Sequence, residues 1–426
     1  MSPIPEAMEK SNAPLNILSE VGKLEAVLLH YPGAEVENMA PRHAQRALYS
    51  DILNLSIARK EYDQLLGVLK MTSSVFEISD LLTDVLKQET LKEELIHKVC
   101  ETEQAITYMD YLLGLPAATL STILVEGLPL QIETLTDFLR EEYYALTPLY
   151  NFYFTRDPSV VIGNRALVCK MANNVRARES LITEAIFQSG LLGTSPVINV
   201  PELACDNPRV MIEGGDILVV NENILLVGNG ARSSTEGIDL LVQEFCKFGP
   251  SKKHVIVQQL PHSPESFIHL DMVFTLLDHD KAMIYKPLIM SSSPYQTVHI
   301  EINHGKVSKI SQVNGILGLL RRLDVDLDPV VCGGKADEWD QEREQWHSGA
   351  NFLAIAPGKV LSYARNIHTL EELDKHGFEV VTANEVIQGK YDLSSSGKCV
   401  ITIEGSELPR GGGGPRCMTM PLRRSL

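Results

Sequence analysis

Several marks that would place a protein quickly are missing from this chain. No apolar stretch is long enough to span a membrane. Its first fifteen residues carry prolines and charges where a signal peptide would carry an apolar core, and they read as a flexible leader. No glycine-rich dinucleotide fingerprint and no P-loop pattern follows a strand-like run, so no nucleotide site is indicated. The seven cysteines are odd in number and scattered, with neither a CxxC pair nor a metal-like cluster. They predict reduced thiols in a cytoplasmic protein, not a disulfide framework or a zinc site. Basic residues are also short: 38 Lys and Arg face 55 Asp and Glu, a net charge of -17. That balance argues against nucleic acid or anionic membranes as the main partner and is compatible with a small cationic substrate.

What is present is ordinary in bulk: 426 residues, 44% apolar and 22% charged, enough for one large domain or two. Leu24–His30 is a short apolar run closed by Tyr31-Pro32-Gly33, a buried strand and its turn. From about Pro41 to Leu146, leucines recur at helical spacing among Glu and Lys, with breaks at Gly114-Leu115-Pro116 and Gly127-Leu128-Pro129. This helical stretch holds no titratable cluster that suggests chemistry, so packing, shape or oligomer contacts are its expected role. After Leu146, short β-branched runs such as Ser159–Ile162, Ile217–Val220 and Val400–Ile403 alternate with helical stretches such as Arg178–Gln188 and Gly237–Phe248, an α/β pattern without a visible repeat.

The chemistry concentrates in four motifs. The first is Arg410-Gly411-Gly412-Gly413-Gly414-Pro415-Arg416-Cys417 near the end. Four glycines in a row have the most backbone entropy to lose, and suit a place where backbone must pass close to something or move. A thiol beside Arg416 reads as an activated nucleophile, because positive charge favours thiolate; the plain alternative is a loose tail with an idle cysteine. The others are Asn151-Phe152-Tyr153-Phe154-Thr155-Arg156-Asp157-Pro158, Ile212-Glu213-Gly214-Gly215-Asp216 and His269-Leu270-Asp271-Met272. His269 and Asp271, two apart in an alternating segment, would share one face of a strand. Each motif alone has a bland reading: a turn aspartate before proline, a plain glycine turn, an incidental polar pair. Together they supply a Cys/His pair and several carboxylates, as nucleophilic catalysis requires.

These motifs, with Val21-Gly22-Lys23-Leu24, Leu29-His30-Tyr31-Pro32-Gly33, Arg176-Ala177-Arg178-Glu179, Cys332-Gly333-Gly334 and Tyr363-Ala364-Arg365-Asn366, run end to end in an order that resembles the arginine deiminase family. The resemblance implies an α/β fold, the five-bladed pseudo-symmetric propeller called pentein, with an inserted α-helical domain. It divides the chain into a propeller at 1–60 and 146–426 and a helical insertion at 61–145. It implies hydrolysis of free L-arginine to L-citrulline and ammonia in arginine catabolism, in the cytoplasm, by a homo-oligomer (dimer or tetramer), with no metal or organic cofactor. In this resemblance Cys417 matches the nucleophile and His269 the general acid/base. Asp157 and Asp271 match the carboxylates that hold the guanidinium, and Glu213 the acid that orients the histidine. Asn151, Arg176 and Arg232 match the grip on the substrate's α-carboxylate, and Gly411 a substrate contact.

Elementary chemistry agrees with those roles. A guanidinium is planar and cationic, its donor fork suits carboxylates, and its central carbon is a poor electrophile that gains from being fixed against a thiolate. With no cation bound, the carboxylates would keep Cys417 protonated. Arg176 and Arg232 favour a substrate with a free carboxylate over agmatine. Other readings are a methylarginine hydrolase, an amidinotransferase, and a catalytically silent arginine-binding relative. Some family members carry an arginine within the glycine-rich loop. Here that position is Gly412, and Arg410 and Arg416 are the candidates to replace it as a gate. A substrate-covering loop is expected over 42–60.

Overall fold

A computed structural model describes residues 13–425 apart from 40–48, 50, 140–142, 206, 291–293, 336 and 395–396. Most of the expected leader, and residues 42–48 and 50 of the expected covering loop, lie outside the described residues. Among the described residues, one local pattern occurs five times. Two short strands pair antiparallel, and a third joins the second of them in parallel. The groups are Ser159–Ile162, Arg165–Val168 and Val197–Asn199; Ile217–Asn221, Ile224–Asn229 and Lys253–Gln259; Phe274–Asp278, Lys281–Ile284 and Asp328–Val331; Leu353–Ala356, Lys359–Tyr363 and Lys398–Ile403. The fifth joins the two ends of the chain: Met420–Ser425 pairs with Lys23–Leu29, which pairs with Ser74–Glu77.

A parallel partner requires a crossover, and each crossover carries a helix, among them Ala177–Gln188, Thr235–Cys246 and Ile367–Lys375. Inner strands such as Ser159–Ile162 are buried at every position, which is why they read as continuous apolar runs instead of alternating ones. The fold is therefore mixed α/β, as the sequence predicts. One hairpin was not anticipated: Thr297–Asn303 with Lys306–Val313, which extends the second group to five strands. Lys306–Val313 carries no buried residue, so its sequence shows no apolar rhythm to read.

The leucine-rich stretch forms the helices Ile78–Val85, Glu89–Thr102, Met109–Leu113 and Ala117–Glu126, and Gly114-Leu115-Pro116 separates the last two as expected. Leu82, Leu95, Leu112 and Leu124 are fully buried in one core with Ile182 and Ile186 of Ala177–Gln188. Ser74–Glu77 lies within the range assigned to the helical insertion, yet it pairs with Lys23–Leu29.

The site follows from the repeated pattern. The residues leading into the first strand of each group hold Asp157, Glu213 with Asp216, His269 with Asp271, Asn351, and Cys417. Five equivalent entry loops thus bring together side chains that are up to 260 residues apart.

Candidate active site

Glu213 sits at the start of a single 3-10 turn, Gly214–Asp216, immediately before its strand. The two glycines are dictated by close approach. A Cβ on Gly214 would lie 2.1 Å from the Arg156 carbonyl oxygen, and one on Gly215 would lie 2.6 Å from His269 Nδ1. Small residues at this turn thus let another backbone and the histidine ring close in. His269 itself is extended, and Asp271 lies in a 3-10 turn, Leu270–Met272, ahead of the strand. The expectation that the two share a strand face is corrected: the turn sends them to different partners. His269 Nε2 is 2.8 Å from Glu213 Oε2 and its Nδ1 is 3.7 Å from Asp157 Oδ1. Asp271 Oδ2 accepts from Arg416 Nη1 at 2.8 Å and lies 3.5 Å from Cys417 Sγ.

Each aspartate is clamped on one oxygen only. Asp157 Oδ2 accepts from Arg176 Nη1 at 2.7 Å, while Asp157 Oδ1 and Asp271 Oδ1 are buried without a hydrogen-bond partner. Arg176 is itself held by Glu179, which accepts from its Nη2 at 2.8 Å and its Nε at 3.0 Å. Its side chain therefore faces carboxylates on both sides. Arg232 Nη1 lies 3.8 Å from Glu213 Oε1, and its side chain keeps 11% exposure. Asn151 is buried, and its carbonyl lies 3.4 Å from Arg176 Nη2. The structure thus brings Cys417, His269, Glu213, Asp157, Asp271, Arg176, Arg232 and Asn151 to one region.

Sequence reasoning missed Asn351. Its Nδ2 donates towards Cys417 Sγ at 3.1 Å, and its Oδ1 accepts from the backbone N–H groups of Arg416 and Cys417 at 3.0 and 3.2 Å. It fixes the loop on which the nucleophile rides. Its place two residues before Leu353–Ala356, like Asp157 two before Ser159–Ile162, is the signal that could have found it. Asp216 was also passed over. It accepts from Ser233 Oγ at 2.6 Å and from the Leu270 N–H at 2.9 Å, tying the Glu213 turn to the His269 turn.

Electrostatics separate the acid/base from the nucleophile. Burial would lower His269, but Asp157, the Glu213 hydrogen bond and Asp216 outweigh it and raise it to about 9, so the ring is an imidazolium at neutral pH. Burial, then Asp271 and Asp157, push the Cys417 thiol well above its usual range. The thiol is therefore protonated with no cation bound, in the direction the sequence predicts. The expectation that Arg416 activates it is corrected: that guanidinium pairs with Glu20 and Asp271, and its pull on the thiol is outweighed by burial, Asp271 and Asp157. Arg416 is accordingly no gate. Arg410 pairs with Asp51 and Glu407 at the outer end of the loop.

Cys417, His269, Asp157, Asp271 and Glu213 are each no more than 4% exposed. The glycine-rich loop is tightly seated where it crosses. A Cβ on Gly411 would meet Tyr153 Oη at 2.0 Å, and the Gly413 carbonyl accepts from Tyr363 Oη at 2.9 Å. Asp157, Glu213 and His269 also place metal-ligand atoms within 4.8 Å of one another. The Arg176 guanidinium on Asp157 and the proton on His269 both oppose a dication there.

The sequence pattern described as arginine deiminase matches residues 45–424, and the chain belongs to the arginine deiminase family. Proteins named arginine deiminase from Listeria innocua serovar 6a and Bacillus thuringiensis subsp. konkukian are 33% and 34% identical to it, each over 96% of this chain and 98% of their own length. In fold it is similar to SxtG, an amidinotransferase from Microseira wollei, with a TM-score of 0.53 at 14% identity over 97% of this chain and 98% of that one. It is also similar to the N-terminal domain of ArgZ, a cyanobacterial arginine dihydrolase, with a TM-score of 0.51 at 13% identity over 94% and 98%. No helix among the described residues is long and apolar enough to cross a membrane.

Proposed function

We propose that this protein hydrolyses free L-arginine to L-citrulline and ammonia through a covalent intermediate on Cys417. One observation carries the reading: two buried carboxylate oxygens, Asp157 Oδ1 and Asp271 Oδ1, have no hydrogen-bond partner beside a buried thiol. Unpaired buried acceptors are costly, and a planar cation with several N–H donors is the ligand that satisfies both.

In this reading Asp157 and Asp271 grip the guanidinium and hold its carbon against Cys417. The arriving cation offsets the two carboxylates and brings the thiol down, so its proton leaves to solvent as substrate binds. The thiolate attacks the guanidinium carbon and forms the C–S bond. His269, protonated at neutral pH, gives its proton to the terminal nitrogen, which leaves as ammonia when the C–N bond breaks. A thiouronium remains on Cys417. The now neutral His269 takes a proton from water, hydroxide adds to the same carbon, and the C–S bond breaks as the added hydroxyl gives its proton to the departing sulfur, releasing citrulline and the Cys417 thiol. Glu213 holds the ring through Nε2 throughout. Arg232, partly exposed, takes the α-carboxylate together with Asn151. Arg176 joins them only by exchanging one of its carboxylate partners, and Gly411 lies over the substrate as bare backbone.

The three-stranded pattern shared by the five groups supports reading the fold as a five-bladed propeller closed by the two chain ends. The helical insertion is best drawn from Ile78, since Ser74–Glu77 belongs to a blade, and it runs to 145. Seven free cysteines support a cytoplasmic location. Exposed Leu135, Phe138 and Leu139 support a homo-oligomer.

The test is incubation with L-arginine without added metal or cofactor, measuring citrulline and ammonia together for the parent and Cys417→Ala. Equal amounts from the parent and none from the variant are expected. Ornithine with a new guanidine in the presence of an amine would mark a transferase, and arginine binding without turnover a silent relative.

A further inference from the structure

The two aspartates of the site are held by the same device. Asp157 is clamped by Arg176, which is clamped by Glu179; Asp271 is clamped by Arg416, which is clamped by Glu20. Glu20 meets Arg416 side-on, accepting from Nε at 3.1 Å through Oε2 and from Nη2 at 3.0 Å through Oε1. It is anchored by its own backbone, whose N–H donates to the Val219 carbonyl at 2.8 Å, and its Oε1 also lies 3.2 Å from the Val219 N–H. Arg416 completes its set with the Ile217 carbonyl at 2.9 Å. Both residues are buried, far in sequence from each other, and at the edge of the thiol's surroundings.

We propose that Glu20 is a positioning residue for the reaction: by holding Arg416 it restricts that guanidinium to one oxygen of Asp271 and leaves the other for the substrate. It rests on the reading above that Cys417 and Asp271 serve a guanidinium substrate. The charge count around it gives the reason. Arg156, Arg416 and Arg424 all act on Glu20, which they hold down to about 2 against the opposing effect of burial. Asp271 and Asp157 face the thiol, with Arg416 the cation acting on it. Without Glu20, Arg416 and Arg156 would have Asp271 as their near counter-ion, and Arg424 would lose the carboxylate that acts on it. Arg416 would then spread over both oxygens of Asp271, where the substrate must bind. The same uncompensated charge would favour the Cys417 thiolate.

Two readouts separate this from a merely structural role. They are arginine kinetics and the pH dependence of Cys417 alkylation by iodoacetamide, followed on the peptide that carries it. Both readouts are taken on the folded fraction isolated by size exclusion, because an unfolded chain would alkylate at the ordinary thiol value of about 8.5 and imitate the shift. Glu20→Gln is expected to raise KM roughly tenfold, with kcat changed less, and to move the alkylation midpoint down by about one pH unit. Glu20→Asp should recover part of both shifts. An unchanged KM and midpoint in the folded Glu20→Gln sites would overturn the proposal. So would a midpoint that moves upward. Turnover by Cys417→Ala would instead overturn the reading on which it rests, and that outcome is scored separately.

Discussion

The His269 side and the Cys417 side of the site use one arrangement built from different material. On the first, Arg176 and Glu179 are three residues apart at the entry to one helix, so local geometry alone brings them together. On the second, Glu20 and Arg416 come from opposite ends of the chain and meet because Met420–Ser425 pairs with Lys23–Leu29. One clamp forms with its helix, and the other only when the chain closes on itself. A buried charge needs a partner, and where that partner is an arginine, how it arrives is a matter of topology.

The comparison can be broken most severely by removing the arginines. Arg176→Met and Arg416→Met each leave two buried carboxylates without their cation, and each should lose about 3–5 kcal/mol of stability in urea unfolding. Similar losses would establish the two clamps as equivalents, whereas a small loss for one would show that side to be tolerant. Asp157→Asn and Asp271→Asn test the substrate end of each clamp. Each should raise KM for arginine by about ten- to a hundredfold, since each removes a charged acceptor. Steady-state kinetics over arginine concentrations spanning KM would show whether both contribute.

Opposite pH limits should sharpen the contrast. His269 is raised to about 9 in the folded protein. Its contribution to stability is full below about 6.5, the unfolded value, and is lost as pH rises through about 9. Glu20 is lowered from 4.5 to about 2, so its contribution is present above 4.5 and lost as pH falls through about 2. Melting temperatures against pH for the parent, His269→Gln and Glu20→Gln should show the first gap closing in alkali and the second only in strong acid. The smallest effect is expected at Gly412, where φ is +90° and a Cβ would meet nothing within 4 Å. Gly412→Ala should cost only about 1–2 kcal/mol of backbone strain. Turnover should stay within a few-fold of the parent; a large loss would mean that this loop needs its glycine in order to open.

Much of this was legible before the coordinates. Ser159–Ile162 reads as a strand and forms one over those residues, and the helix read as Arg178–Gln188 runs Ala177–Gln188. The first holds a continuous run of β-branched residues, and the second places Leu181, Ile182, Ala185 and Ile186 at helical spacing. Lys306–Val313 was invisible because it faces solvent, and His269 with Asp271 was placed on a strand because a short alternating segment and a 3-10 turn look alike in sequence. Glu213-Gly214-Gly215-Asp216 could be read in the sequence as a plain glycine turn; that the Arg156 carbonyl and the His269 ring close in on those glycines emerges only from the fold. Asn351 was missed because a single asparagine carries no local signal, and its partners sit 65 and 66 residues away.

The sequence by itself determined the chemical inventory: a cysteine behind glycines, a histidine, the carboxylates, the arginines, and an alternation of strands and helices. Those are properties of residue type and spacing, which the chain carries wherever it goes. Only the tertiary structure decided which carboxylate meets which arginine and which oxygens are left open. It also decided that Arg416 pairs with Glu20 and Asp271, and that burial and the two aspartates outweigh its pull on the thiol. Those choices depend on loops that lie far apart in the chain and meet at the entries of five strand groups. Burial then makes each pairing matter, because in a site shielded from water an unmatched charge has no solvent to fall back on.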